Sequence, residues 1–176
     1  MSLRTFLLKL NWRQVLLDLL ACYFLMYAFQ TFCYLYDIGI VEISRQYDQK
    51  SLGSELNKRK IDHDYYTDII SYYPFAAAFI GLLFGLVVSL IVSFKRCWFW
   101  LNCFIAFVST YCLFRLNLPP WKIVAPSFRL PGQPITRSVR LEFIINGIIT
   151  LGIGLFILLS TYSKRFIERR YSAVNY

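Results

Sequence analysis

The chain carries one histidine, His63, set between Asp62 and Asp64, with Asp68 one helical turn beyond Asp64. On a helix Asp64 and Asp68 share a face, so a divalent cation can be drawn among two carboxylates and an imidazole. Metal sites of defined geometry want three or four ligands, and no cysteine or second histidine stands at ligand spacing here. A solvated helix start explains the same residues: Asp62 is a fair N-cap, and early acids suit a helix N-terminus. Arg59 and His63 echo an RNase-type pair, but their spacing argues against it. With no Ser/His/Asp set, no paired carboxylates in a cleft and no phosphate-binding glycine loop, the chain reads as a non-enzyme without a cofactor.

Asp18 is a second place to look for chemistry, because it is the one acid inside a long apolar run. Intramembrane acids are functional candidates by default. Arg13, Lys95, Arg96 and Arg165 are cations within its reach, so structural pairing is the first reading and a gating or proton role the second. No other deep charge offers itself for a proton relay. The five cysteines, Cys22, Cys33, Cys97, Cys103 and Cys112, lie in or beside apolar runs and form no CxxC. They read as small apolar packers, with a bond between Cys33 and Cys112, at similar outer depth, as the alternative.

The elements that hold these residues are membrane helices. Of 176 residues 57% are apolar and 16% charged, far toward the membrane class. Leu19–Tyr36, Phe75–Phe94, Trp98–Phe114 and Phe143–Tyr162 contain no charge. A helix needs roughly 20 mostly apolar residues to cross the hydrocarbon, and lipid offers the backbone no partners, so each run must be helical. The expected fold is an all-α integral membrane protein of one domain. It is a four-transmembrane-helix bundle with spans at about 15–36, 75–94, 98–116 and 143–162, outer loops at 37–74 and 117–142, and a tail at 163–176. The first run is too long for a cleaved signal peptide and reads as a retained anchor.

Charge sets the sides. One set of segments carries Arg4, Lys9, Arg13, Lys95, Arg96, Lys164, Arg165, Arg169 and Arg170 against Glu168 alone. The other mixes cations with acids, so the positive-inside bias places both termini in the cytoplasm of a bacterium, in its inner membrane. Trp12, Trp98, Trp100 and Tyr162 mark the inner boundary; Tyr34, Tyr36, Tyr72, Tyr73 and Trp121 mark the outer one.

Leu116–Leu141 holds Lys122, Arg129, Arg137 and Arg140, no acid, and every proline except Pro74. It can rest on the acidic loop Asp37–Pro74 or meet an anionic surface or acidic partner from outside. Leu130-Pro131-Gly132-Gln133 fits a type II turn between "KIVAPSFRL" and "ITRSVRLEF", which predicts an outer β-hairpin. In the first loop Ile61, Tyr65, Ile69 and Tyr72 recur at helical spacing, predicting a short amphipathic helix that breaks at Pro74.

The second span carries Ala77, Gly81, Gly85, Ser89 and Ser93 at every fourth residue. Small residues let helix backbones approach in lipid, where no hydrophobic force draws helices together. Asn102, Ala106 and Thr110, and Asn146, Thr150 and Gly154, repeat the pattern in the last two spans. Three stripes suffice for a compact bundle, with one to spare for a second copy. The tail cations Lys164, Arg165, Arg169 and Arg170 suit anionic lipid or a cytosolic protein partner, and direct nucleic-acid binding is not expected.

This layout, with two outer loops, an assembly-ready second span and a basic tail, resembles the small four-span membrane subunit of the Kiwa antiphage system. That resemblance implies an oligomer that senses phage attack at the envelope and works with a cytosolic DNA-binding partner. The layout is also similar to immunity proteins against pore-forming colicins, which would make the spans and loops a recognition surface for a toxin. Neither resemblance assigns a functional residue. The reading is a self-assembling sensor or scaffold, with a bacteriocin immunity protein or a small oligomeric channel as the alternatives.

Overall fold

The computed structural model describes residues 10–116, Gly132 and residues 135–168, and every regular element within them is helical. Helix α1, Trp12–Cys33, is capped by Asn11, whose side chain accepts a hydrogen bond from the Arg13 amide at 3.1 Å. Three short elements follow: α2 at Ile38–Gln46, α3 at Gln49–Lys58 and α4 at His63–Thr67. Asp37 caps α2 through the Ile40 amide and Asp62 caps α4 through the Asp64 amide. A single wide π turn, Asp68–Tyr72, leads into α5, Tyr73–Lys95. The remaining helices are α6 (Leu101–Arg115), α7 (Val139–Leu159) and α8 (Thr161–Glu168).

Three helical runs, Trp12–Cys33, His63–Lys95 and Val139–Leu159, are long and apolar enough to cross a membrane. Their outward faces suit that solvent: Ile80, Val87, Ile91, Ile148 and Phe156 are all at least half exposed. The run expected at 98–116 is shorter, because α6 has 15 residues, about 22 Å at helical rise. Three long apolar helices therefore mark the chain as a helical membrane protein.

The bundle is built around α1, which packs against α5, α6 and α7. Gly81 lies beside Leu25 and Met26, Gly85 beside Cys22, and Ser93 beside Gln14, so α5 runs antiparallel to α1. Gly147 faces Phe32 and Gly154 faces Leu25, so α7 is antiparallel as well. Asn102, at the start of α6, meets Asn11 at the start of α1, and these two run parallel. All three small-residue stripes are thus used inside the chain. Gly81, Gly85, Ser89 and Ser93 are buried, Ala77 is half-buried, and Asn102, Ala106, Thr110, Asn146, Thr150 and Gly154 are buried too. The stripe expected to be left over for a second copy is packed within the chain: the bulk of Leu25, Met26, Phe29 and Phe32 on α1 uses the room that the small residues provide.

Two further expectations change. Pro74 does not break the helix; the chain continues through it. A proline ring collides with the carbonyl four residues back and donates nothing to it. The π turn, in which the Tyr73 amide reaches the Asp68 carbonyl, widens the helix just before that conflict. The wide turn also rotates the expected amphipathic face, so Ile69 is buried while Tyr65 and Tyr72 are exposed. The second arm of the predicted hairpin, from Ile135, is not a strand. The Ile135 and Thr136 amides turn back on the Gly132 carbonyl, and helix begins at Val139. The other arm, with Lys122 and Arg129, lies outside the described residues. All five cysteines are free.

Candidate functional site

Charge is concentrated at the two ends of the bundle. At the loop end α2 lays Arg45 across the first turn of α7. Its guanidinium donates to both oxygens of Glu142 at 2.8 Å. The Glu142 side chain is 3% exposed and that of Arg45 15%. The guanidinium also lies 5.0 Å from the centre of the Phe143 ring, a cation–π arrangement. Tyr34, at the end of α1, meets Phe143 edge-on, and Val41 of α2 completes this cluster. A carboxylate in the first turn of a helix is further favoured by the unpaired amides there.

One turn along, Asn146 accepts a hydrogen bond from the Gly132 amide at 2.9 Å. A Cβ at Gly132 would stand 3.1 Å from the Asn146 amide nitrogen and 3.2 Å from the Glu142 carbonyl. Segments from both loops therefore meet on the first turns of α7. Arg137 and Arg140 are exposed beside this contact.

At the other end a buried polar cluster joins four helices. Gln14 donates to Ser93 at 2.9 Å and accepts from Asn102 at 2.8 Å. Asn102 in turn accepts from the Asn11 backbone amide, and the Asn11 side chain donates to the Ile167 carbonyl of α8. Cys103 lies 3.1 Å from Ser93 Oγ. Asp18 belongs here: it is 5% exposed and accepts a long bond, 3.5 Å, from Gln14.

The expected cation partners of Asp18 are engaged elsewhere or exposed. Arg13 donates to the Phe166 carbonyl and stacks on its ring. Arg96 donates to the Leu159 carbonyl at the end of α7, a fitting role for a cation at a helix C-terminus. Lys95 and Arg165 are exposed. Asp18 lies five positions after Arg13, a rotation of roughly 140°, so Arg13 faces α8 while Asp18 faces the bundle. Among the described residues Asp18 sits among amide, hydroxyl and thiol groups rather than in an ion pair.

The tail helix α8 buries Ile167 against Val92 and Trp98. Its cations Lys164 and Arg165 are exposed, while Arg169 and Arg170 lie outside the described residues. His63, Asp64 and Asp68 do not converge, and no group of three metal-ligating side chains occurs among the described residues.

Comparison of the chain with protein-family models, with curated proteins and with solved structures finds no match in any of the three. The site is therefore argued from its own geometry.

Sequence reasoning missed Arg45, Glu142, Asn11 and Gln14. Two signals were there to be read. Asn11, Gln14 and Asp18 recur at helical spacing on one face of α1, and Glu142 is the single acid that closes an otherwise acid-free loop.

Proposed function

We propose that the protein is a non-enzymatic, four-span protein of the bacterial inner membrane that senses a change at its outer face and passes it to a cytoplasmic partner. The Arg45–Glu142 ion pair carries this reading. It fastens an outer-loop helix to one end of α7, and the other end of α7 leads into the basic helix α8. A force on α2 would act on α7 directly, because both guanidinium bonds and the Phe143 stack must break before the two separate. The cation-rich segments flanking Arg13, Lys95 and Lys164 support placing α8 in the cytoplasm. With outer and inner sides so assigned, α6 makes the fourth crossing, extended by the turn at Phe99–Trp100. The layout shared with the Kiwa membrane subunit is the reason to name phage attack as the outer event. Self-association would use a face other than the Gly81–Ser93 stripe.

The test is protection of cells that express the chain with its natural gene neighbours. Phage and pore-forming bacteriocins are applied in separate challenges, with the native chain, R45A and a K164E/R165E double variant. Protection from phage, lost in both variants while membrane levels stay normal, supports the proposal. Protection from a bacteriocin alone, indifferent to the tail charges, would replace it with the immunity reading.

A further inference from the structure

An open cleft that bears charge lies between α2 and the α3–α4 turn, with a volume of about 540 Å³. Its apolar lining includes Ile40, Ile43 and Ile61. Most of its charged groups are already committed. Asp37 accepts from the Ile40 amide at 3.2 Å and from the Tyr65 hydroxyl at 3.0 Å. Arg59 donates to Glu55 at 2.9 Å, and Asp62 accepts from the Asp64 amide. Two lining groups of opposite sign, Glu42 and Lys60, have no side-chain partner among the described residues.

Lys60 is also in an unusual place. The Ile61 amide bonds the Leu56 carbonyl and the Lys60 amide bonds the Asn57 carbonyl, which is a Schellman ending for α3. Its left-handed position, φ 54°, is normally glycine, and here it is lysine. Helix termination therefore gives no reason for this side chain; glycine would do that better. The cleft gives it one.

We infer that this cleft binds a small zwitterion, a ligand with a primary ammonium at one end and a carboxylate or phosphate at the other. Glu42 takes the ammonium, Lys60 takes the anionic end, and the isoleucines cover a short aliphatic link between them. Opposite free charges in one cleft favour a ligand that brings both signs, since either ion alone would leave one of them unanswered. Tyr65 stands at the rim, and Tyr36 and Tyr73 pack edge-on nearby at 6.0 Å. Such rings sit at headgroup level. The same chemistry can thus arrive as the phosphoethanolamine head of a lipid or as a free amino acid or dipeptide. The inference deepens the proposed function only in placing a ligand on the outer loop; the binding itself is independent of any coupling to the tail.

Binding is measured on the purified full chain in mild detergent, by calorimetry and thermal shift. The probes are glycerophosphoethanolamine and alanyl-alanine, with glycerol phosphate, ethanolamine and glycerophosphocholine as controls. The expected result is saturable binding of one of the two zwitterions, weakened at least tenfold by E42Q and by K60G. Preference for glycerophosphoethanolamine identifies a lipid head, and preference for alanyl-alanine a free peptide. K60G places the favoured residue at φ 54°, so its unfolding midpoint should not fall, and lost binding cannot be blamed on a damaged fold. No binding of either zwitterion, equal binding of the single-charge controls, or binding indifferent to both substitutions would each overturn the inference. Cell protection is scored separately, so a native chain that binds neither zwitterion yet still protects would refute the ligand site and leave the coupling proposal standing.

Discussion

Gly81 lies so close to α1 that a Cβ there would come within 2.7 Å of the Leu25 carbonyl oxygen and 3.0 Å of the Met26 Cα. Both obstacles are backbone, which cannot swing aside as a side-chain tip does. Overpacking a close helix contact costs about 1–3 kcal/mol, and more where the backbone must move. G81L should therefore lower the unfolding midpoint of the single chain in detergent, whatever its state of assembly. G152L is the control, since a Cβ at Gly152 meets nothing within 4 Å. A folded, equally stable G81L chain would mean that α1 and α5 do not pack as described.

Removing one partner of the Arg45–Glu142 pair leaves the other charge buried and unanswered. Breaks of this kind cost about 3–5 kcal/mol, whereas replacing both charges by apolar groups is often neutral or better. R45M and E142L should each destabilise strongly, and the double variant R45M/E142L should regain most of the loss. Unfolding of all three in one detergent checks the pattern. Simple additivity of the two single losses would show that the residues do not act as a pair.

Gln14 stands at the crossing of α1, α5 and α6, where it bonds Ser93 and Asn102. Interhelical polar contacts in membranes contribute about 0.6–2 kcal/mol. A double-mutant cycle of Q14L with N102A should return a coupling within that range. Zero coupling would place the stabilisation in packing alone.

The exposed face of α3 should respond to acid. Glu55 accepts from Arg59 at 2.9 Å and lies 3.7 Å from Lys58. The Arg59 bond comes first among the causes that hold its carboxyl below the usual glutamate range. A folded-state pKa depressed in this way stabilises the fold above the unfolded pKa and is lost as pH falls through the folded one. The midpoint difference between the native chain and E55Q should thus be present at neutral pH and vanish in acid. A difference that grew as the pH fell would reverse the sign and remove the ion pair from the account.

The bundle was legible in the sequence because lipid leaves the backbone few choices: long charge-free runs must be helices, and their positions follow the hydropathy closely. The small residues of α5 were legible as a packing face, though which helix they face depends on the large side chains Leu25, Met26 and Phe29, and pairing of helices leaves no periodic mark in a single chain. Pro74 misled because its penalty was assigned to the helix as a whole, when one π turn at Asp68–Tyr72 absorbs it locally. Ile135–Phe143 misled because β-branched residues serve a membrane helix as readily as a strand, and the Arg45 that neutralises Glu142 is far away in sequence. Asp18 illustrates the same limit. Its burial could be anticipated, but the amide, hydroxyl and thiol groups around it come from three helices, its own and two others.

Lys60 offers the sharpest test of stability against binding. A non-glycine residue in the left-handed region strains the backbone by roughly 1 kcal/mol, and nothing in the ending of α3 requires the lysine side chain. K60G should therefore stabilise the chain by about that amount, seen as slower hydrogen exchange at the Lys60 and Ile61 amides that close α3. The gain should be confined to this turn, leaving the membrane helices unchanged. If exchange there quickened instead, the lysine would be holding the turn together through its side chain, and the vacancy of its ammonium for an outside ligand would be disproved by the same measurement.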